Sequence, residues 1–279
     1  MLTHMMLAMF LAAAPQQVDT LVTVPHGTRL ELNSRRGDVR IRTWDRSAVR
    51  ISTDDERSDL RIERTGSVLQ VRPRDWNSHS IDLELTVPRD MPIRVNGMDT
   101  EADIRGAGAE VDVQTLNGDI RVEGGTGYVK LRTVHGDIEL SDARGRVTVG
   151  TVSNDITLHN VEGDVQAESV NGDVTMTAMR SGNVSVEAVT GDLEYEGTVR
   201  ANGHYSLSTH SGDVVMGVPR DANATIRVST YQGDFQADYP VRMIGSTEDR
   251  EFTFTLGNGS ASIALSSFSG SVRVRRPGS

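Results

Sequence analysis

From residue 111 the chain repeats a twelve-position pattern of apolar and polar side chains. The first clean copy is Val111-Asp112-Val113-Gln114-Thr115-Leu116-Asn117-Gly118-Asp119-Ile120-Arg121-Val122. Copies start again at Val129, Val147, Val165, Val184, Tyr205, Ile226 and Ile263, at spacings of 18, 18, 18, 19, 21, 21 and 37. An early copy starts at Leu30 and a degenerate one at Ile93. The first, third, tenth and twelfth positions are apolar, as in Val129/Leu131 with Ile138/Leu140 and Val147/Val149 with Ile156/Leu158. Strict alternation predicts short strands with one buried face. The fifth position is small in every regular copy: Thr115, Thr133, Thr151, Ser169, Ala188, Thr209, Thr230 and Ser267.

Between the two apolar pairs lies a turn. Its eighth position is Gly118, Gly136, Asn154, Gly172, Gly191, Gly212 and Gly233, residue types that tolerate positive φ. Its ninth is Asp119, Asp137, Asp155, Asp173, Asp192, Asp213 and Asp234. A second glycine column, Gly127, Gly145, Gly163, Gly182 and Gly203, precedes the next copy. Asn117-Gly118 is also a tight-hairpin signal, which would set Val113 opposite Val122. The even, in-register period favours stacked coils instead. The fold expected is all-β: a single elongated β-solenoid of about 18 residues per coil and roughly ten coils. No coil stands alone. Four or five buried aliphatics supply roughly 1.5–3 kcal/mol each, against about 1–2 kcal/mol per residue to order the backbone.

Three Val-Pro pairs, Val24-Pro25, Val87-Pro88 and Val218-Pro219, precede alternating runs at Leu30, Ile93 and Ile226 and read as elbows. Residues 44–84 alternate without the Gly-Asp turn and read as longer strands, capping or widening the stack. Residues 238–262 form a second irregular insertion. Arg273-Val274-Arg275-Arg276-Pro277 suits a charged, proline-blunted edge. The apolar run Met5 to Ala14, ending in three alanines, reads as an export signal and is too short to span a bilayer. The division expected is a signal peptide at 1–14, an N-terminal β region with the first repeat at 20–92, and regular repeats with a C-terminal cap at 93–279. Export places the chain in the periplasm or on the cell surface.

Leu30-Glu31-Leu32-Asn33-Ser34-Arg35-Arg36-Gly37-Asp38-Val39-Arg40-Ile41-Arg42-Thr43-Trp44-Asp45 is similar to the first unit of a bacterial adhesin-type β-strand-repeat family, domain of unknown function 4097. The units at Thr115 to Ile120 and Ser169 to Val174 resemble it too, and the likeness spans residues 20–276. The resemblance implies a β-helix-like solenoid, right-handed in many members, in an exported or membrane-associated protein. It brings no catalytic residues.

Composition narrows the chemistry. The chain has 279 residues and no cysteine, which excludes disulfides and thiolate chemistry. A net charge of −10 argues against a nucleic-acid partner. Residues 28–75 carry +3 and residues 101–196 carry −11, a solvated mixed-charge surface. The aspartate column would stack carboxylates at strand spacing, where each bonds adjacent turn amides or a cation sits between them. The Gly-Gly-x-Gly-x-Asp calcium repeat is approached only at Gly124-Gly125-Thr126-Gly127, where Val129 replaces the aspartate. Arg36-Gly37-Asp38 falls on the Gly-Asp column. His135 and His210 flank turns beside Asp137 and Asp213, without a zinc or nucleophile-elbow motif. No cofactor is expected.

The function expected is a non-catalytic, adhesin-like envelope scaffold for a glycan or protein ligand. It would bind on the outward row Asp112, Lys130, Thr148, Gln166 and Ser185. A self-associating structural protein and a polysaccharide-acting β-helix enzyme remain as alternatives. The second lacks an obvious carboxylate pair, and only 4% of residues are aromatic.

Overall fold

The alternating segments form strands, and each pairs in parallel with the equivalent segment of the next copy. Val111 lies beside Val129, Val129 beside Val147, and Val147 beside Val165. Every copy gives its first half to one sheet and its second half to another, so the chain passes back and forth between them. A computed structural model of the chain describes residues 18–53, 60–74, 80–239 and 251–277, and the export signal expected at 1–14 lies outside them. Among the described residues each sheet has thirteen strands, neither closes into a barrel, and there is no helix. At about 4.8 Å per strand a sheet extends about 60 Å.

The apolar positions fill the space between the sheets. Val113, Leu131, Ile138, Leu140, Ile156, Leu158, Val174 and Met176 are all essentially inaccessible to solvent. Tyr195 and Tyr205 join them, edge to face, with ring centroids 5.7 Å apart. Their hydroxyls find partners inside. Tyr195 donates to the Thr198 carbonyl, while Tyr205 donates to Ser181 O at 2.9 Å and accepts the Arg200 amide at 2.8 Å. Burial raises the pKa of both phenols, most for Tyr195.

The eighth position is glycine in the regular copies, Asn154 excepted, for a steric reason as well as a torsional one. Gly136 has φ +152°, and a Cβ there would meet the Gly118 carbonyl oxygen at 2.2 Å. Gly191 and Gly212 repeat the conflict at 2.1 Å, each against the turn glycine of the coil before. The small fifth position faces this corner. The hydroxyls of Thr133, Thr151, Thr209 and Thr230 donate to turn-glycine carbonyls of the neighbouring coil.

Both ends depart from chain order. Tyr205 pairs with Ile263, not Ile226, and Ile226 pairs with the far side of Ile263. The last coil in sequence is therefore laid between two earlier ones. At the other end Leu30 pairs with both Leu69 and Ile93, so the coil of Val68–Pro73 and Leu83–Pro88 lies outside the first one. The segment expected at 44–84 to give only longer capping or widening strands thus also supplies Val68–Pro73, the first half of a coil whose second half, Leu83–Pro88, runs beyond it. Antiparallel strands finish the stack: Leu60–Thr65, Ala48–Thr53 with Val18–Thr23, and Glu251–Leu256.

This order corrects the expected C-terminal edge. Val272–Arg275 is an interior strand between Val214–Gly217 and Phe235–Ala237, because its coil is the inserted one. The three Val-Pro elbows share one turn, in which the proline carbonyl accepts the amide three residues on: Thr28, Met91 and Ala222.

Candidate functional site

The second position of each copy points outward on the first sheet, and parallel pairing lines these residues up. Asp112, Lys130, Thr148, Gln166, Ser185 and Ser206 occupy consecutive strands in one row. Two residues earlier runs a second row, Arg146, Asp164, Asn183 and His204, also in register. Between the rows a solvent-open groove of about 490 Å³ crosses four coils. Val147, Val165, Val184 and Tyr205 form its apolar floor, and Ser262 and Ala264 close it on the far side. The Asn183 side-chain amide donates to Asp164 Oδ1 at 2.8 Å, which fixes part of the second row. Hydroxyl, amide and charged groups thus alternate along a straight track at strand spacing. Such a track suits an extended polar polymer, whose own groups recur at regular intervals, better than a compact ligand.

The first row was legible from the repeat. The second was missed, because its residues stand just before the first apolar position and look like linker. The signal available was the polar residue one step ahead of four successive copies, Arg146, Asp164, Asn183 and His204, although Tyr128 precedes Val129 and Pro92 precedes Ile93.

The turn columns do a different job. The amide of Asp137 donates to Oδ1 of Asp119 at 3.0 Å, that of Asp155 to Asp137 at 3.1 Å, and that of Asp173 to Asp155 at 2.8 Å. Asp192 on Asp173 and Asp213 on Asp192 continue the ladder, which passes through Ser271 to Asp234 at the interleaved end. The carboxylate was expected to serve the turn beside it; it serves the aspartate of the next coil instead, because parallel stacking brings that amide directly over it. The glycines beside them, Gly118, Gly136, Gly172, Gly191 and Gly212, with Asn154 in the same column, carry the carbonyls on which the next coil rests, and Gly233 ends the column against the Gly270 carbonyl. Arg36-Gly37-Asp38 lies on the same ladder: the Asp38 amide donates to Asp82 Oδ1 at 2.9 Å, and Asp38 pairs with Arg40.

The acidic middle is partly neutralised by arginines that reach across coils. Arg121 pairs with Glu101 and Asp119, and lies 3.6 Å from Glu139. Arg94 meets Asp112 at 3.2 Å. Partial burial pushes the Asp103 carboxyl up, but hydrogen bonds from Arg42 and Arg105 outweigh it and hold the group below the usual carboxylate range. A second cavity, about 380 Å³, lies among the N-terminal elbows. There Arg46 covers the Trp44 ring at 5.1 Å and His26 meets Asp90 at 2.7 Å. His135 and His210 do not come together. His135 is exposed at its turn, and the His210 ring stacks on Phe268. Among the described residues no three His, Asp or Glu side chains gather into a metal-binding cluster, and no helix is long and apolar enough to cross a membrane.

Two open, mainly parallel sheets built coil by coil from one short repeat define a solenoid-like all-β repeat protein. The Toastrack DUF4097 family model matches residues 27–275, and the chain belongs to that family. A crystal structure described as that of a "putative cell adhesion protein" from Clostridium sporogenes is 11% identical. It covers 94% of this chain and 100% of its own, with a TM-score of 0.26, too low for the superposition to carry an argument. No curated protein matches.

Proposed function

We propose that the chain is a non-catalytic, exported interaction scaffold of a bacterial envelope, adhesin-like in that it holds an extended glycan or protein segment along its first sheet. The coil is read as right-handed, with 18 residues as its unit. The single observation that carries the reading is the groove between Thr148, Gln166, Ser185, Ser206 and the parallel row Arg146, Asp164, Asn183, His204. Its residues vary from coil to coil while the floor beneath stays apolar, as expected of a face shaped for a ligand rather than for folding. The longest acidic row supports a non-catalytic role, since its carboxylates are tied to backbone amides of the next coil. Export to the periplasm or cell surface belongs to the same proposal.

The test is binding of the purified chain to bacterial glycans, peptidoglycan and intact cells, with and without calcium. Saturable binding to one class without release of product supports the scaffold. Depolymerisation of a glycan would replace it with an enzyme, and calcium dependence would return the aspartate column to the site.

A further inference from the structure

The sixth position of the repeat breaks the alternation. It is apolar or aromatic in every stacked coil from Met98 onward, and it faces solvent. Met98, Leu116, Val134 and Val152 align through the bridges of the residues that follow them. Val170, Val189, His210, Phe268 and Tyr231 continue the line. Leu116 is 48% exposed, Val152 and Val170 40%, Val189 50%, Phe268 44% and Tyr231 56%. Neighbours above and below cover each side chain, so what remains open is its outer edge, and the edges join into one ridge. The last three rings stack nearly parallel, 4.8 and 5.0 Å between centroids. Nine positions at strand spacing make a ridge about 40 Å long. Its exposed apolar area, roughly 600 Å², equals the largest patch an ordinary monomer carries.

The geometry points to a second copy of this chain as the occupant, docked ridge to ridge and antiparallel, with the two-fold axis passing beside Val152. Area is the first argument. The stretch from Met98 to His210, taken on both copies with its polar flanks, is of the size from which the smallest specific dimers, about 1,200 Å² in total, are built. Matching is the second. The axis sets Val134 against Val170, Leu116 against Val189 and Met98 against His210, so seven consecutive positions meet an apolar or aromatic partner at the same spacing. Charge is the third. On the flank two residues earlier, the same axis sets Arg132 against Glu168 twice over. Gly150 lies at the axis, where two side chains would collide. Both charged residues are exposed, and Arg132 has no ion pair among the described residues. The opposite flank, Asn117, His135, Ser153, Asn171 and Thr190, brings no like charges together. A parallel copy would instead face each flank with the other and lose the Arg132–Glu168 pairing. The Arg132–Glu168 flank borders the groove of the first sheet, where the Gln166 side-chain amide donates to Glu168 Oε1 at 2.9 Å.

Sedimentation of the full chain tests the proposal. A reversible dimer is expected in the micromolar range, weakened about 100-fold by Val152→Glu, which sets two carboxylates against each other on the axis. The chain has no cysteine, so the register can be read by disulfide capture. Val152→Cys should cross-link to itself. Val189→Cys alone should not, yet mixed with Leu116→Cys it should give the heterodimer. A chain that stays monomeric up to about 100 µM overturns the proposal. So does indifference to Val152→Glu, or cross-linking without regard to register. Ridge-dependent binding to phosphatidylglycerol–phosphatidylethanolamine vesicles by a monomeric chain would assign the ridge to a membrane surface instead.

Discussion

The carboxylate of Asp137 accepts the backbone amide of Asp155, 18 residues further along the chain and one coil further along the stack. A side chain normally found capping its own turn is here a clasp between coils. The bond needs an acceptor oxygen, so Asp155→Ala should lower stability by about 1–2 kcal/mol by orphaning the Asp173 amide. Asp155→Asn, which keeps an oxygen in place, should stay within about 0.5 kcal/mol of the native chain. Urea denaturation of the three proteins, with and without calcium, distinguishes the cases. If asparagine proved as costly as alanine, the negative charge would be the working feature and a bound cation would explain it.

The turn column makes a pair of opposite predictions. Gly136→Ala forces a methyl group onto the Gly118 carbonyl oxygen in a backbone conformation alanine avoids, and should cost about 3 kcal/mol or more. Asn154 already sits in that column at φ +95°. Asn154→Gly removes its strain and should stabilise by about 1 kcal/mol. Thermal unfolding midpoints should move in opposite directions.

The buried phenols of Tyr195 and Tyr205 predict a loss of stability at alkaline pH. Burial favours their neutral forms, so the folded-state pKa lies above the unfolded value of about 10. Their contribution is fully present below pH about 10 and is lost as pH rises through the raised folded-state values. Urea midpoints should hold steady through neutral pH and fall above pH about 10. Tyr205→Phe should lower stability at neutral pH by about 1–2 kcal/mol for the lost Ser181 and Arg200 bonds, and make the alkaline fall shallower. An unchanged alkaline slope would mean that other groups govern it.

Ser185→Arg places a long cation across the groove on a position half open to solvent, so the fold should tolerate it. Binding to whichever polymer the native chain retains should drop about tenfold or more, with no change in unfolding midpoint. Retained binding would move the ligand site elsewhere, the Trp44 elbow cavity being the next to probe.

Strands, turns and the two-faced alternation were legible because period two is imposed by the strand itself. The outward row of Asp112 through Ser185 followed from the same rule. Which coil stacks on which was not legible at the ends. The copies share their apolar, small and turn-glycine columns, so those columns do not tell Tyr205 from Ile226 as the neighbour of Ile263. The row from Arg146 to His204 was hidden because it precedes the pattern. The ridge from Met98 to Tyr231 was hidden because its apolar residues fall where a turn was expected, and only stacking converts single side chains into a surface.

The interleaved ends have a consequence for how such a chain can change in length. Each end is completed by a coil laid in from further along the sequence, so neither end tolerates insertion or loss of a unit without rebuilding its closure. Between Val111 and Leu193 the units are interchangeable. Removing residues 147–164 would bring Val129 beside Val165 with every column intact, and shorten the stack by about 4.8 Å. The middle is therefore a ruler with graduations one strand wide, and reach can be altered there a step at a time while the two terminal closures stay the same.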